Sequence, residues 1–204
     1  MEALLGEIRI AIQKAGKTDS LAFDTWGVDF GLLDADGKLL EDPVHYRDER
    51  TKDWPQRVAQ KIDFTACMSE LAIRFWQSNT VPVAGITRGT ADLLRRAKHL
   101  LFIPDLLAAM LGADLTWERS IASTSQMWNP VAGTWDLELL RQMGMDPGLF
   151  GAMTDSGSII GALPDSTKII AVAGHDTQCA VRPCLWKREK AHVSLLWHLE
   201  PDRL

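Results

Sequence analysis

The sequence predicts a mixed α/β protein, and three of its segments carry this prediction. Residues 2–15 repeat apolar side chains at helical spacing, residues 21–33 have strand character, and residues 169–173 form a second apolar strand. This second strand runs directly into residues 174–177, Gly-His-Asp-Thr. Because ligands of open α/β sheets bind beyond the carboxyl ends of strands, that polar loop is the first candidate for a functional site.

The composition is that of an ordinary globular protein. Of the 204 residues, 46% are apolar and 24% are charged, which argues against a disordered, collagen-like or coiled-coil chain. With 22 basic against 27 acidic residues, the net charge of −5 argues against nucleic acid or a membrane as partner. The three cysteines form no CxxC pair, and no apolar run approaches the roughly 20 residues of a membrane helix. We therefore expect a cytoplasmic protein without a disulfide framework.

The amino-terminal third predicts a helix that leads into a β-hairpin. An apolar stripe marks the helix and Gly16 suits the position just past its end. The single strand over 21–33 stops at a turn formed by residues 34–37, and residues 38–40 begin the return strand. The stripe consists of Leu4, Ile8, Ala11, Ile12 and Ala15.

The remainder of the chain predicts shorter elements. Residues 91–111 form two helical pieces, with Pro104 beginning the second piece and Gly112 following its end. A short helix over 135–143 is ended by Gly144. The first helical piece owes its apolar stripe to Leu93, Leu94, Ala97, Leu100 and Leu101, and a further strand is predicted at 159–161.

Asp176 is the strongest candidate for a general base. A carboxylate at a strand end can accept the proton of a sugar hydroxyl, while the adjacent His175 can hydrogen-bond the same substrate. Asp and Thr also suit a helix N-cap, so Asp176 and Thr177 have an equally good structural explanation. The two roles are compatible.

The predicted hairpin carries four aspartates and one notable glycine. Asp34 and Asp36 are best explained as turn formers. Asp24 and Asp29 would face opposite sides of a regular strand, which argues against the carboxylate pair of a glycosidase. Gly27 marks either a close approach of a ligand to the backbone or a β-bulge.

Other familiar chemistry is absent from the sequence. The five histidines lack the spacing of a zinc site, and no glycine-rich phosphate-binding motif occurs. The eight tryptophans are scattered, which favours packing roles over a stacking platform.

Five short motifs together resemble the FGGY carbohydrate kinases, and within them the kinases of L-rhamnulose. The resemblance covers residues 1–61 and about 92–181. The motifs occur in the order Asp24-Thr25-Trp26-Gly27-Val28-Asp29-Phe30, Pro43-Val44-His45-Tyr46-Arg47-Asp48, Ile103-Pro104-Asp105, Ala122-Ser123-Thr124-Ser125-Gln126 and Ala173-Gly174-His175-Asp176-Thr177.

The resemblance implies a fold, a reaction and a set of site residues. The fold would be part of a ribonuclease-H-like (actin-like ATPase) domain, the sugar-binding domain at the amino end of an FGGY kinase. The reaction would be phosphoryl transfer from Mg-ATP to the 1-hydroxyl of L-rhamnulose, with Asp176 as proton acceptor. The implied sugar contacts are Gly27, His175 and Thr177, and Trp26, Asp29 and Arg47 would form the pocket wall.

The sequence also departs from the family. The glycine-containing turn that meets ATP in the family and the second, ATP-binding domain are not found, so we expect an incomplete first domain over 1–181 without a cofactor site of its own. Residues 62–91 and 182–204 lack family motifs and are predicted to be an aberrant insert and an aberrant tail. Codons permitted for parts of both segments encode family motifs in a shifted frame. We hypothesise a frameshift, which the nucleotide sequence would decide.

Two further functions stay open at this stage. The chain could belong to an FGGY kinase of L-fuculose, xylulose or glycerol, or it could be a sugar-binding remnant without catalysis. In either case phosphoryl transfer needs loops and metal that hold the phosphates, so this polypeptide alone is expected to have negligible kinase activity.

Overall fold

The computed structural model describes residues 1–45, 48, 90–129 and 131–185. Helix α1 spans Glu2–Ala15 and ends at Gly16, whose φ of 71° suits a residue without a side chain. The helix is therefore confirmed, but the predicted stripe is wrong at Leu4, Ala11 and Ala15, which are exposed. Leu5 is the buried side chain of α1, whereas Leu4 is 45% exposed.

The predicted single strand over 21–33 is wrong, because the chain forms two short strands there. Strand β1 is Ser20–Leu21 and strand β2 is Phe30–Leu33, and the residues between them bend. The hairpin turn is confirmed, since Gly37 has a φ of 75° and a β-bridge joins Leu33 to Leu39.

Helix α2 (Thr90–Arg96), strand β3 (His99–Phe102) and helix α3 (Ile103–Met110) follow. Placing Leu100 and Leu101 in a helix was wrong, because both lie in β3, which pairs antiparallel with β2. A four-residue apolar run fits a buried strand as well as a helix, and only the partner strand decides between them. Pro104 in the first turn of α3 and Gly112 after its end agree with the prediction.

The middle of the chain consists of short elements around buried aromatic rings. The predicted helix over 135–143 begins later, at Leu137, because Trp135 pairs with Trp128 as a strand residue. Its end is confirmed by Gly144 at a φ of 77°. The elements are β4 (Trp117–Glu118), α4 (Arg119–Ser123), β5 (Trp128–Asn129), β6 (Thr134–Trp135), α5 (Leu137–Gln142) and a 3₁₀ turn (Pro147–Leu149).

The last part of the chain returns to β1. Strands β7 (Met153–Thr154), β8 (Ile159–Ala162) and β9 (Lys168–Ile170) precede helix α6 (Asp176–Leu185). Strand β9 lies between β1, to which it is parallel, and β8, to which it is antiparallel. The strand predicted to reach residue 173 ends at Ile170, and residues 171–174, which belong to no regular element, lead to the β-bridge at His175.

The hydrophobic core lies under the β2–β3 pair and helix α3. Leu33, Leu100, Leu101, Phe102 and Leu106 are among its fully buried side chains. A smaller cluster of Ala108, Ile160, Ile169 and Ala171 packs the β8–β9 pair against the other side of α3. Helix α3 thus packs against both apolar clusters, and this close packing makes it a rigid support for the loops beside it.

Several sequence predictions fall on residues outside this description. They concern Arg47, most of the predicted insert over 62–91 and the tail from residue 186 onward. The predicted domain boundary after residue 181 stays a prediction, and helix α6 runs across it to Leu185. Among the described helices, none combines the length and apolar character needed to cross a bilayer.

Candidate functional site

Two segments that the sequence singled out meet at the end of the β1–β9 pair. The Thr25 N–H donates to the Gly174 carbonyl at 2.9 Å, and the Asp176 N–H donates to the Thr25 carbonyl at 2.8 Å. Thr25 and His175 thereby form a parallel β-bridge beyond the regular strands. The bend at 26–29 and the loop at 174–177 are therefore neighbours, as one shared site requires.

Gly27 packs directly against this loop. A Cβ atom at residue 27 would lie 2.8 Å from Thr124 Oγ1 and 3.1 Å from His175 Cδ2, closer than side chains normally approach. The sequence offered a ligand or a bulge as the reason for this glycine. The structure adds a third reason, because the protein's own side chains occupy the space.

The bend after Gly27 is a strained turn. The Asp29 N–H donates to the Gly27 carbonyl at 3.0 Å across Val28, whose φ is 73°. This is a γ-turn with positive φ, and it is unfavourable for a β-branched residue. The Trp26 indole N–H donates to Asp29 Oδ2 at 2.6 Å, which ties the two ends of the turn together. Asp29 is buried, whereas Trp26 is 42% exposed, so an apolar ring lies open beside the loop.

His175 is buried at the centre of the site. Burial lowers the pKa of its imidazole, and the nearby Asp176 carboxylate opposes this shift only in part. Nε2 of His175 lies 3.6 Å from Asp176 Oδ1. The imidazole is therefore neutral at pH 7 and able to exchange hydrogen bonds with a polar ligand.

Asp176 is exposed and begins helix α6. Its Oδ1 accepts the Thr177 N–H at 2.5 Å and the Thr177 hydroxyl at 3.1 Å. Among the described residues, Oδ2 accepts no hydrogen bond. The carboxylate thus accepts one N–H at the helix start, although Asp176 is the first residue of the helix and not its N-cap. It still presents an oxygen that can accept a proton.

Two buried carboxyl groups behind the loop were missed by the sequence prediction of the site. Glu118 precedes helix α4 and accepts the Gly174 N–H at 3.0 Å. Asp105 in α3 accepts from the Thr116 hydroxyl, and its burial raises the pKa of this carboxyl to about 8. The charge of Glu118 adds to that rise, while the Glu118 N–H and Thr116 hydrogen bonds oppose it.

A sequence signal existed for only one of these carboxyl groups. Asp105 belongs to the Ile103-Pro104-Asp105 motif, but a carboxyl in the first turn of a helix is ordinary. Glu118 carried no signal, because helix N-caps are usually Ser, Thr, Asp or Asn.

No metal site is formed by the described part of the chain. No group of three or more His, Cys, Asp or Glu side chains within it could hold a metal ion. Residue 47, predicted for the pocket wall, lies outside the described ranges, so its position relative to the site stays a prediction.

Known proteins resemble this chain in sequence. Residues 3–186 match the N-terminal domain of the FGGY family of carbohydrate kinases. Rhamnulokinase from Yersinia pestis bv. Antiqua (strain Angola) is 38% identical over 168 residues, which cover 80% of this chain and 35% of that protein. Rhamnulokinase from Klebsiella pneumoniae (strain 342) is 34% identical over 190 residues, covering 89% of this chain and 39% of that protein. The chain therefore spans little more than a third of the length of these relatives.

Solved structures show the same fold at low identity. A ligand-bound xylulose kinase from Lactobacillus acidophilus superposes with a TM-score of 0.75 at 16% identity, over 88% of this chain and 39% of that one. Glycerol kinase from Plasmodium falciparum with ADP superposes with a TM-score of 0.64 at 14% identity, over 87% of this chain and 38% of that one. These likenesses confirm the predicted ribonuclease-H-like (actin-like ATPase) fold. Together with the family match, they establish that this chain belongs to the FGGY carbohydrate kinases and has the fold of their N-terminal domain.

Proposed function

We propose that this chain is the sugar-binding part of a rhamnulokinase, in which Asp176 accepts the proton of the 1-hydroxyl of L-rhamnulose. The observation that carries the proposal is the pair of backbone hydrogen bonds between Thr25 and the Gly174–Asp176 segment. They bring the glycine, the buried imidazole and the exposed carboxylate to one edge of the fold. The names of the relatives at 34–38% identity support L-rhamnulose as the acceptor.

The proposed chemistry of this chain is a proton transfer. A carboxylate oxygen of Asp176 takes the hydroxyl proton, and the sugar oxygen becomes a better nucleophile as the O–H bond breaks. His175 is neutral because burial lowers its pKa, so it contributes a hydrogen bond and adds no charge to the site. Thr177 fixes the carboxylate through its N–H and hydroxyl.

The remaining candidates would form the walls of the pocket. Gly27 lets the backbone of the bend lie against His175, and its exposed N-terminal neighbour Trp26 offers a ring face to the apolar side of a deoxy sugar. Asp29 holds that ring through the indole N–H. Arg47 remains a proposed wall residue on the motif alone.

The FGGY carbohydrate kinases in general use ATP with a metal ion. The described residues do not fit either group, since they form no metal-ligand cluster and no glycine-rich phosphate cradle. The proposed contribution of the described residues is therefore to bind the sugar and to accept its proton. A cytoplasmic setting, as the odd number of cysteines suggests, would suit a sugar kinase.

Calorimetric titration with four sugars tests the proposal. We expect L-rhamnulose to bind more tightly than L-fuculose, xylulose or glycerol. Replacing Asp176 by Asn should lower the affinity by about tenfold or less, because shape and one acceptor are kept. Asp36→Asn, in the exposed hairpin turn, is the matched control and should leave the affinity for L-rhamnulose unchanged.

Other results of this titration would support a different function. Tighter binding of another sugar would move the substrate to that FGGY class. A sugar affinity that Asp176→Asn leaves unchanged would favour a non-catalytic sugar-binding module. If none of the four sugars binds, the proposed function is wrong.

A further inference from the structure

Glu118 is the most heavily hydrogen-bonded carboxylate in the described part of the chain. It is only 2% exposed and joins the end of β4 to the start of α4. Its Oε2 accepts the N–H groups of Ser120 at 2.9 Å and Ile121 at 3.1 Å, and the Ser120 hydroxyl at 2.5 Å. These three bonds cap helix α4, which is a local role.

Two other hydrogen bonds reach distant parts of the chain. Oε2 of Glu118 also accepts the Gly174 N–H at 3.0 Å, and Oε1 accepts the Ser156 hydroxyl at 2.6 Å. A helix cap needs neither of these bonds. Because Gly174 directly precedes His175 and Asp176, the carboxylate is attached to the backbone that carries both proposed sugar contacts.

The backbone at Gly174 has little freedom to move. A Cβ atom there would lie 3.0 Å from Pro104 Cγ and 3.4 Å from Ile121 Cβ, so the loop rests against helices α3 and α4. On its other side, the Gly174 carbonyl accepts the Thr25 N–H. Glu118 thus holds the N–H of Gly174, while Thr25 holds its carbonyl.

Asp105 supports Glu118 from the core. Its two carboxyl oxygens accept the Glu118 N–H at 3.4 and 3.3 Å, and Oδ1 accepts the Thr116 hydroxyl at 3.2 Å. Asp105 is itself buried in the first turn of α3. A continuous series of buried polar contacts therefore runs from α3 through Glu118 to the loop.

We infer that Glu118 is a positioning residue, which fixes the Gly174 amide and thereby sets where His175 and Asp176 lie relative to Gly27. The catalytic meaning of this inference rests on the proposed function, whereas the contact itself does not. A buried acceptor-only group is strongly favoured when several N–H and O–H donors converge on it, and removing it leaves those donors unsatisfied. The loop would then lose its hydrogen bond to Glu118, while β9 would keep its pairing with β1 and β8.

Amide hydrogen exchange by NMR on the 204-residue chain tests the inference. Glu118→Gln keeps the shape but offers one acceptor oxygen, and its NH₂ group must face one of the donors. We expect the Gly174 amide to exchange faster by about tenfold or more and its proton resonance to move upfield, as a charge-assisted bond weakens. The Ile169 amide in β9 should keep its protection.

Asp136→Asn is the matched control. Asp136 caps helix α5 by accepting the Leu139 N–H at 2.9 Å, a bond that involves no residue of the loop. This variant loses one capping carboxylate and should leave the Gly174 exchange rate and resonance unchanged. Equal Gly174 rates in Glu118→Gln and in the unmodified chain would overturn the inference.

A measurement on the unmodified chain covers the case in which Glu118→Gln does not fold. The Gly174 amide should be clearly protected, and exchange at the rate of an unstructured peptide would overturn the inference. A parallel titration with L-rhamnulose separates the two proposals. If the unmodified chain binds the sugar, Glu118→Gln should bind it at least about tenfold more weakly. If it does not bind, the proposed function fails and the exchange rates still decide the role of Glu118.

Discussion

Gly27 and Gly31 lie four residues apart but in regions held together by different interactions. Gly31 lies in β2, where a Cβ atom would come within 2.6 Å of Leu106 Cδ2 and 3.0 Å of Leu39 Cδ1. Gly27 lies in the bend, where a Cβ atom would meet the Thr124 hydroxyl and the His175 ring. At both positions a side chain would collide with its neighbours. The neighbours of Gly31 belong to the apolar core, whereas those of Gly27 belong to the polar edge of the fold.

The difference separates stability from function. Around Gly31 the contacts are made by methyl groups, so the stability cost of a substitution depends on the volume and the buried area that it changes. Around Gly27 the contacts are directional, and the bend also carries the strained Val28. We therefore expect changes in the leucine-rich region to alter the free energy of unfolding, and changes at the bend to alter sugar affinity.

The largest effect should come from Asp105, the polar exception within the apolar region. Its pKa is about 8 in the folded chain against 3.8 as the unperturbed value, so between pH 4 and 8 the folded state holds a proton that the unfolded state has released. Stability should therefore fall as pH rises through this window, by up to about 1.4 kcal/mol per pH unit and several kcal/mol in all. Urea unfolding at successive pH values should show a flatter profile for Asp105→Asn, and identical profiles would contradict the prediction.

Leu106→Ala should have the next largest effect. Leu106 is fully buried between α3 and the β2–β3 pair, so truncation leaves a cavity and should lower the free energy of unfolding by about 2–5 kcal/mol. Sugar affinity of the folded fraction should not change. Leu137→Ala, at a partly exposed position, is the control and should cost well under half of that amount.

Alanine at the two glycines compares the regions directly. Gly31→Ala should lower the free energy of unfolding by about 1–3 kcal/mol through overpacking, with sugar affinity kept. Gly27→Ala should lower affinity for L-rhamnulose by about tenfold or more, because Thr124 and His175 must both shift to admit the methyl group. If the affinity losses were reversed between these two variants, the separation of the regions would be wrong.

Val28→Gly should have the smallest effect and the opposite sign. Glycine removes the strain of positive φ, which should raise the free energy of unfolding by about 1–3 kcal/mol. Its greater freedom in the unfolded chain should lower that free energy by about 1 kcal/mol. We expect a net gain in thermal stability of about 1 kcal/mol. Ala35→Gly in the hairpin turn is the control and should be destabilising by about 0.4–1 kcal/mol, since φ at Ala35 is not positive.

Features that depend on neighbouring residues could be predicted from the sequence. Asp34 Oδ1 accepts the N–H groups of Asp36 and Lys38, and Gly37 supplies a positive φ, so the hairpin turn forms from its own residues. The ends of α1, α3 and α5 follow from glycines in the same way. The polar loop after β9 was also recognisable, because strand and loop adjoin in sequence.

Features that depend on distant partners could not be predicted. Leu100 and Leu101 are strand residues because β2 pairs with them, and nothing in their own segment excludes a helix. The bend at 26–29 interrupts a sequence with good strand propensity, since Thr25 pairs with His175 and Gly27 packs on Thr124. The role of Glu118 was invisible, because two of its donors lie 38 and 56 residues away.

The sequence by itself determined the fold family, the local turns and which loop carries the imidazole and carboxylate, because short motifs and helix ends are encoded by adjacent residues. Only the tertiary structure decided that Gly27 touches His175, that Trp26 stays open while Asp29 is buried, and that Glu118 holds the loop. The Gly27–His175 contact joins residues 148 apart in the chain, and the Glu118–Gly174 contact joins residues 56 apart. Hydrogen bonds and steric limits act only once folding has brought such residues within a few ångströms.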